Sequence, residues 1–246
     1  MGTTEKFPYD RRSLIASAFL IANAIVWYFL AARLLEGIIN NGATDYFQTL
    51  LLWSLHFAAL MFSFIVGALL IKRVKKTIFL VVWTLMGMIS PLTVLFLDCS
   101  KTPFIGIVSI LFGISLGLGI PSCMESFTKL TDMKNRGRYS GLVILFSSLG
   151  FFSLSLLNAG TIELSVFILI VWRSFGLIIL PINKSTMDRE KSKDVSFAFI
   201  LKQRSFLLYL IPWIMFSLVN YLSVPVQYTI LEENSVKLLM IVESRY

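Results

Sequence analysis

"TDMKNRGRYSGLVILFSSLG", residues 131–150, sets Lys134, Arg136 and Arg138 around Gly137, directly before a long apolar run. So polar a stretch inside so apolar a chain reads as an aqueous turn between two membrane spans. The composition agrees. Of 246 residues, 57% are hydrophobic, 14% aromatic and only 15% charged, and the mean hydropathy is +0.79. Soluble domains sit near about 45–50% apolar and about 25% charged. The apolar residues here come in blocks of about 20, the number a helix needs to cross the hydrocarbon core. The fold class is therefore an all-α, multi-spanning integral membrane protein.

Working outward from the turn, apolar runs alternate with charged or turn-rich breaks. Seven candidate spans follow, at 13–35, 47–71, 77–97, 103–124, 139–158, 163–182 and 206–230. The first run, Leu14 to Leu35, exceeds the roughly 7–15 apolar residues of a cleavable signal, so it reads as an uncleaved span. Between the sixth and seventh spans lies a charged segment, 183–205, longer than the other breaks.

Basic residues fall in alternate connections. Lys6, Arg11 and Arg12 precede the first span, and Lys72, Arg73, Lys75 and Lys76 separate the second from the third. Lys129, Lys134, Arg136 and Arg138 separate the fourth from the fifth. Lys184, Arg189, Lys191, Lys193, Lys202 and Arg204 lie before the seventh. These are 17 of the 22 basic residues, all on one side. The opposite connections hold Lys101 beside Glu36, Asp45, Asp98, Glu163, Glu232 and Glu233. The positive-inside rule then puts the N-terminus in the cytoplasm of a multi-pass protein of the cell (inner or plasma) membrane. It makes 131–138 a cytoplasmic loop leading into an outward-running fifth span. Topology thus accounts for the net charge of +8. The clusters form no basic stripe with interleaved aromatics, which argues against nucleic acid as a partner. The lipid bilayer is the expected one.

The two cysteines are expected to stay apart. Cys99 falls in an outer connection and Cys123 near the inner end of the fourth span, roughly 36 Å away along a helix, where a disulfide needs Cα atoms within about 7 Å. No ligand spacing calls for a metal or a cofactor.

Asp132, Arg136, Gly137 and Gly141, at the mouth of a fifth span that follows a Gly-rich fourth, resemble a motif of the major facilitator superfamily. "GALLIKRVKK", Gly67 to Lys76, is similar to that family's loop between helices two and three. Gly67, Lys72, Lys75 and Lys76 fit it, while Ile71 stands in place of an aspartate and Val74 in place of a glycine. The Gly-Pro antiporter signature of helix five is missing. The resemblance implies a six-helix bundle of 3+3 repeats over 1–182, a cytoplasmic linker over 183–205, and a further transmembrane helix opening a second bundle over 206–246. "VKLLMIVESRY" would be the start of helix eight, so a truncated copy is expected, with self-association as a way to complete the missing half. The implied activity is alternating-access transport of a small solute, with a proton or ion as a possible coupling partner. Gly67, Lys72, Lys75, Lys76, Arg136, Gly137 and Gly141 would serve gating, Arg136 through ion pairs and Gly137 and Gly141 through close packing.

Deep polar residues are costly and so informative. Asn23 sits roughly 15 Å into the first span, suited either to a substrate or to a hydrogen bond between helices. His56, about 10 Å from the outer end of the second span, is either a proton relay or a neutral structural histidine. Arg173 lies in the middle of the sixth span. It reads as an anion-attracting group, as one half of a structural pair with Glu125, the acidic residue within reach, or as a snorkelling side chain if the span is set deeper. Ser109, Gly113 and Gly117, with Ser115 and Gly119, form small-residue rows for close helix packing, and Pro121 should free a backbone carbonyl.

Two other functions compete with transport. A seven-helix receptor or sensor matches the span count, but its usual orientation is opposite, and the seventh span lacks the lysine that a retinal Schiff base needs. A membrane scaffold without chemistry is the other. An intramembrane enzyme is disfavoured, because the sole histidine has no evident Ser or Cys partner in sequence.

Overall fold

In the computed structural model the first helix, α1 (Arg11–Gly42), is the axis of the assembly. Its 32 residues include Ala16, Ala18, Ala22, Ala24 and Ala31, all buried, and these small side chains let neighbours close in from several directions. The structure describes residues 11–71, 73–132, 135–155 and 160–180, without the side chains of Tyr46 and Ser155. Lys72, the linker 183–205 and the expected seventh and eighth helices lie outside the described residues.

The remaining helices are α2 (Tyr46–Leu70), α3 (Lys76–Phe96), α4 (Thr102–Gly117), α5 (Ile120–Leu130), α6 (Arg136–Ser155) and α7 (Ile162–Ile179). Local chemistry sets several of their starts. Asp45 caps α2, its carboxylate accepting from Gln48 N at 2.7 Å, and Thr161 caps α7 by accepting from Leu164 N at 3.3 Å. Pro103 stands in the first turn of α4, where a missing N–H costs nothing. Six segments are long and apolar enough to cross a bilayer, with α4 and α5 together forming the fourth. No strand occurs among the described residues.

The helices run alternately up and down. At one end Lys76 at the start of α3 reaches Glu125 of α5 at 3.2 Å, and Lys129 closes on the same carboxylate at 3.0 Å. At the other end Thr102 Oγ1 bonds Gln48 Oε1 at 3.4 Å, and Asn41 shares a crevice with Thr161. The basic connections therefore gather at the first end, and Asp45, Asp98 and Glu163 at the second. The two cysteines are free: Cys123 is buried in α5 and Cys99 lies in the α3–α4 connection.

Packing is selective. α2 lies mainly on α4, α3 on α7 and α4, and α1 on α6, α7, α4 and α5. Outward-facing α2 and α6 expose Phe47, Met61, Phe62, Ile65, Ile144 and Phe152, a surface suited to lipid rather than water. Small residues set the closest approach, between α2 and the fourth span. A Cβ on Gly113 would collide with His56 O, one on Gly117 with Ser63 Oγ and Leu60 O, and one on Gly67 with Leu118 O. The small-residue row thus packs as expected.

Three expectations need correction. The fourth span is not one helix: it breaks at Leu118–Gly119, and Pro121 stands in the first turn of α5. Arg136 makes no ion pair among the described residues. It already belongs to α6, and its guanidinium bonds Thr131 Oγ1 at 3.2 Å, Thr131 O at 3.3 Å and Thr128 O at 3.4 Å, capping the end of α5. Gly137 and Gly141 are not sites of close packing, since a Cβ on either would meet nothing within 4 Å among the described residues. Gly141→Ala should therefore raise stability by about 0.4–1 kcal/mol, through the entropy of the unfolded chain. Thermal unfolding in detergent checks this, and a lower midpoint would mean that Gly141 meets something beyond the described helices.

Candidate functional site

The deepest polar cluster forms where α1, α3 and α7 meet. Arg173 of α7 is fully buried. Its guanidinium carbon lies 4.0 Å from the centroid of Trp83 and 5.5 Å from that of Trp27, so both indoles stabilise the cation through their π faces. Nη1 donates to Asn23 Oδ1 at 3.1 Å. Asn23 in turn donates from Nδ2 to Trp172 O at 2.6 Å, and Trp172 Nε1 donates back to Asn23 O at 2.9 Å. These three bonds stitch α1 to α7.

Glycines make room for the large groups. A Cβ on Gly87 would stand 2.6 Å from Arg173 Nε, and one on Gly176 3.0 Å from Asn23 Oδ1. Gly119, at the break between α4 and α5, lies directly against the Trp83 ring, whose Nε1 donates to Ser115 O at 2.6 Å. The break in the fourth span therefore fixes Trp83, and Trp83 covers Arg173. Pro91 lies inside α3. It withdraws the N–H that would otherwise bond the carbonyl of Gly87.

Two of the three candidate binding residues thus come together, Asn23 and Arg173. The third does not join them. His56 lies between α2 and α4, stacked on Tyr28 at 6.0 Å with Trp53 edge-on at 5.8 Å. Its Nδ1 is 3.0 Å from Ser109 O. A carbonyl can only accept, so the proton sits on Nδ1 and Nε2 carries a lone pair, which has no partner among the described residues. The expected pairing of Arg173 with Glu125 is also corrected, because Glu125 is held by Lys76 and Lys129. Glu125 belongs to the ion cluster at the end of the bundle.

Trp27, Trp83, Trp172, Gly87 and Gly176 escaped the reading of the sequence. A signal was there in part: Asn23 and Trp27, and Trp83 and Gly87, are each four residues apart and so share a helix face.

A crevice of about 300 Å³ opens between α1, α6 and α7 at the end away from the basic connections. Arg33, Asn41, Thr161 and Ser165 supply its polar lining. Its deepest lining residues along the two long helices are Leu30 and Leu169. Trp27 and Arg173 follow one helical turn further in, roughly 5 Å. Among the described residues no cluster of three or more metal-ligating side chains is present.

Helix length, composition and the lipid-suited faces define the class: a multi-pass, all-helical membrane protein with a buried arginine at its centre. No family model, no curated protein and no solved structure matches the chain.

Proposed function

We propose that the protein is a secondary transporter of the major facilitator type, moving a small solute by alternating access, with Asn23 and Arg173 at the solute site. The observation that carries this reading is the fully buried Arg173, whose Nε and Nη2 have no hydrogen-bond partner among the described residues. A cation kept at membrane depth without full satisfaction is costly, and such residues commonly mark substrate pathways. The crevice ends one helical turn above this cluster, toward the outer side.

The helix contacts support the 3+3 plan. Exchanging spans one, two and three for four, five and six turns the contact of two with four into five with one. It turns six with one into three with four, and leaves three with six and one with four in place. All of these contacts occur. Repeats related in this way are characteristic of transporters whose substrate lies at the repeat interface. The ion cluster of Lys76, Glu125 and Lys129 ties the second-to-third loop region to the fourth span, where the resemblance implies gating.

On this reading the basic end faces the cytoplasm of an inner or plasma membrane. A path of this plan runs between two bundles, and a second copy of the chain is the proposed supplier of the other wall. Single cysteines at Lys75 and Arg136 should then resist an impermeant thiol reagent added outside, while those at Asp45 and Glu163 react. The background would lack Cys99 and Cys123. Proteoliposomes holding the self-associated protein should show saturable uptake of a solute from a broad panel. Reversed labelling defeats the orientation; absence of saturable uptake in every oligomeric form defeats the transport reading.

A further inference from the structure

The unpartnered atoms around Arg173 have a specific chemistry. A guanidinium offers its N–H groups along fixed edges, and Nε with Nη2 forms the edge that takes a carboxylate through two parallel bonds. Nη1 is engaged by Asn23, while Nε and Nη2 have no hydrogen-bond partner among the described residues. The indoles of Trp83 and Trp27 lie 4.0 and 5.5 Å from the guanidinium carbon, so what remains for a ligand is that free edge. Trp27 Nε1 is also buried without a hydrogen-bond partner among the described residues, and an indole nitrogen can only donate.

The unsatisfied groups at this junction include three nitrogen donors and one positive charge. What would satisfy them is an acceptor that is negatively charged, planar and two-pronged. The carbonyl freed by Pro91 is an acceptor in the same neighbourhood, at Gly87, but it is neutral and Nε does not bond it. A Cβ on Gly87 would stand 2.6 Å from Nε, so the glycine lets the backbone of α3 pack closely beside the guanidinium.

Resting on the transport reading for its biological sense, we infer that the solute carries a carboxylate, bound side-on by Nε and Nη2 of Arg173 with Trp27 Nε1 as a further donor. Asn23 is a positioning residue: it holds Nη1 and so turns the opposite edge of the guanidinium toward the ligand. Leu30 and Leu169, one helical turn away at the inner end of the crevice, are apolar, which suits a carboxylate borne on a small apolar body.

Binding can be measured apart from transport. The purified full chain in detergent would be titrated with sodium acetate, sodium butyrate, sodium chloride and neutral acetamide at constant ionic strength, following tryptophan emission and the unfolding midpoint. Acetate and butyrate should give a saturable response, with butyrate the tighter of the two. Arg173→Lys keeps the charge but lacks the planar edge, and should bind at least tenfold more weakly. Trp27→Phe keeps the ring but loses the donor, and should bind several-fold more weakly even if Arg173→Lys does not fold. The absence of a saturable acetate response would overturn the inference. So would equal affinity in both variants and wild type, or an equal response to chloride or acetamide. Carboxylate binding without uptake would remove only the transport reading. Saturable uptake that is indifferent to Arg173→Lys would remove only this site.

Discussion

Replacing Gly119 by leucine should cost about 3 kcal/mol and lower the unfolding midpoint by roughly 6–12 °C, the upper range for overpacking a close contact. The effect is large because two features coincide at this residue. Gly119 lies at the break between α4 and α5, and its Cα faces the indole of Trp83 with no room for even a methyl group. Trp83 is held by Ser115 O at 2.6 Å, so the ring cannot retreat without losing a buried hydrogen bond. A side chain at 119 would push Trp83 away from Arg173 and strip a cation at membrane depth of its nearer aromatic face. Gly117→Leu, which would drive into Ser63 and Leu60 of α2, should be similarly costly. Gly141→Leu is the matched comparison, since its Cβ meets nothing within 4 Å among the described residues. Thermal unfolding of the three variants in one detergent decides the matter. Equal midpoints would mean that the fourth span does not pack as described.

Asn23→Leu should also be strongly damaging, by about 2–3 kcal/mol, in the range for losing hydrogen bonds to a charged group. The substitution removes the bonds to Arg173 Nη1 and to Trp172 O and leaves the guanidinium without a hydrogen bond among the described residues. The informative measurement is the double variant. If the cost of Asn23→Leu comes from stranding a cation, then Asn23→Leu/Arg173→Leu should be more stable than Asn23→Leu alone, because the charge is gone. The coupling between the two sites should reach about 1 kcal/mol or more. Strictly additive losses would show that Asn23 acts through Trp172 and not through Arg173. Protein yield in the membrane should follow the same order as the unfolding midpoints.

The membrane class and the six described spans were legible in the sequence because hydropathy sums along the chain and needs no partner. The alternation of ends was legible for the same reason: Arg73, Lys75, Lys129 and Arg136 segregate from Asp45, Asp98 and Glu163 by position alone. The small-residue row of Gly113 and Gly117 also reads locally, since its spacing selects one helix face. Helix ends were read less well. α1 continues to Gly42, past Leu35, because its outer turns still find packing partners, as buried Ile38 and Ile39 show.

Tertiary structure decided the rest, and the reason is angular. Sequence fixes how deep a residue lies in the bilayer, but not toward which neighbour its helix is turned. Arg173 and Glu125 were placed within reach along the axis, yet Glu125 turns to Lys76 and Lys129. Asn23 and Arg173 are 150 residues apart and meet because α1 packs directly on α7. His56 had as good a claim as Asn23 by depth and polarity, and packing sent it to Tyr28, Trp53 and Ser109 instead. Gly137 carried a family-like pattern, but in the described bundle it has open space, while Gly119 holds the tryptophan that covers the buried cation. Depth and charge balance are properties of single helices and survive without a fold; which donor faces which acceptor exists only once the helices have been rotated and packed.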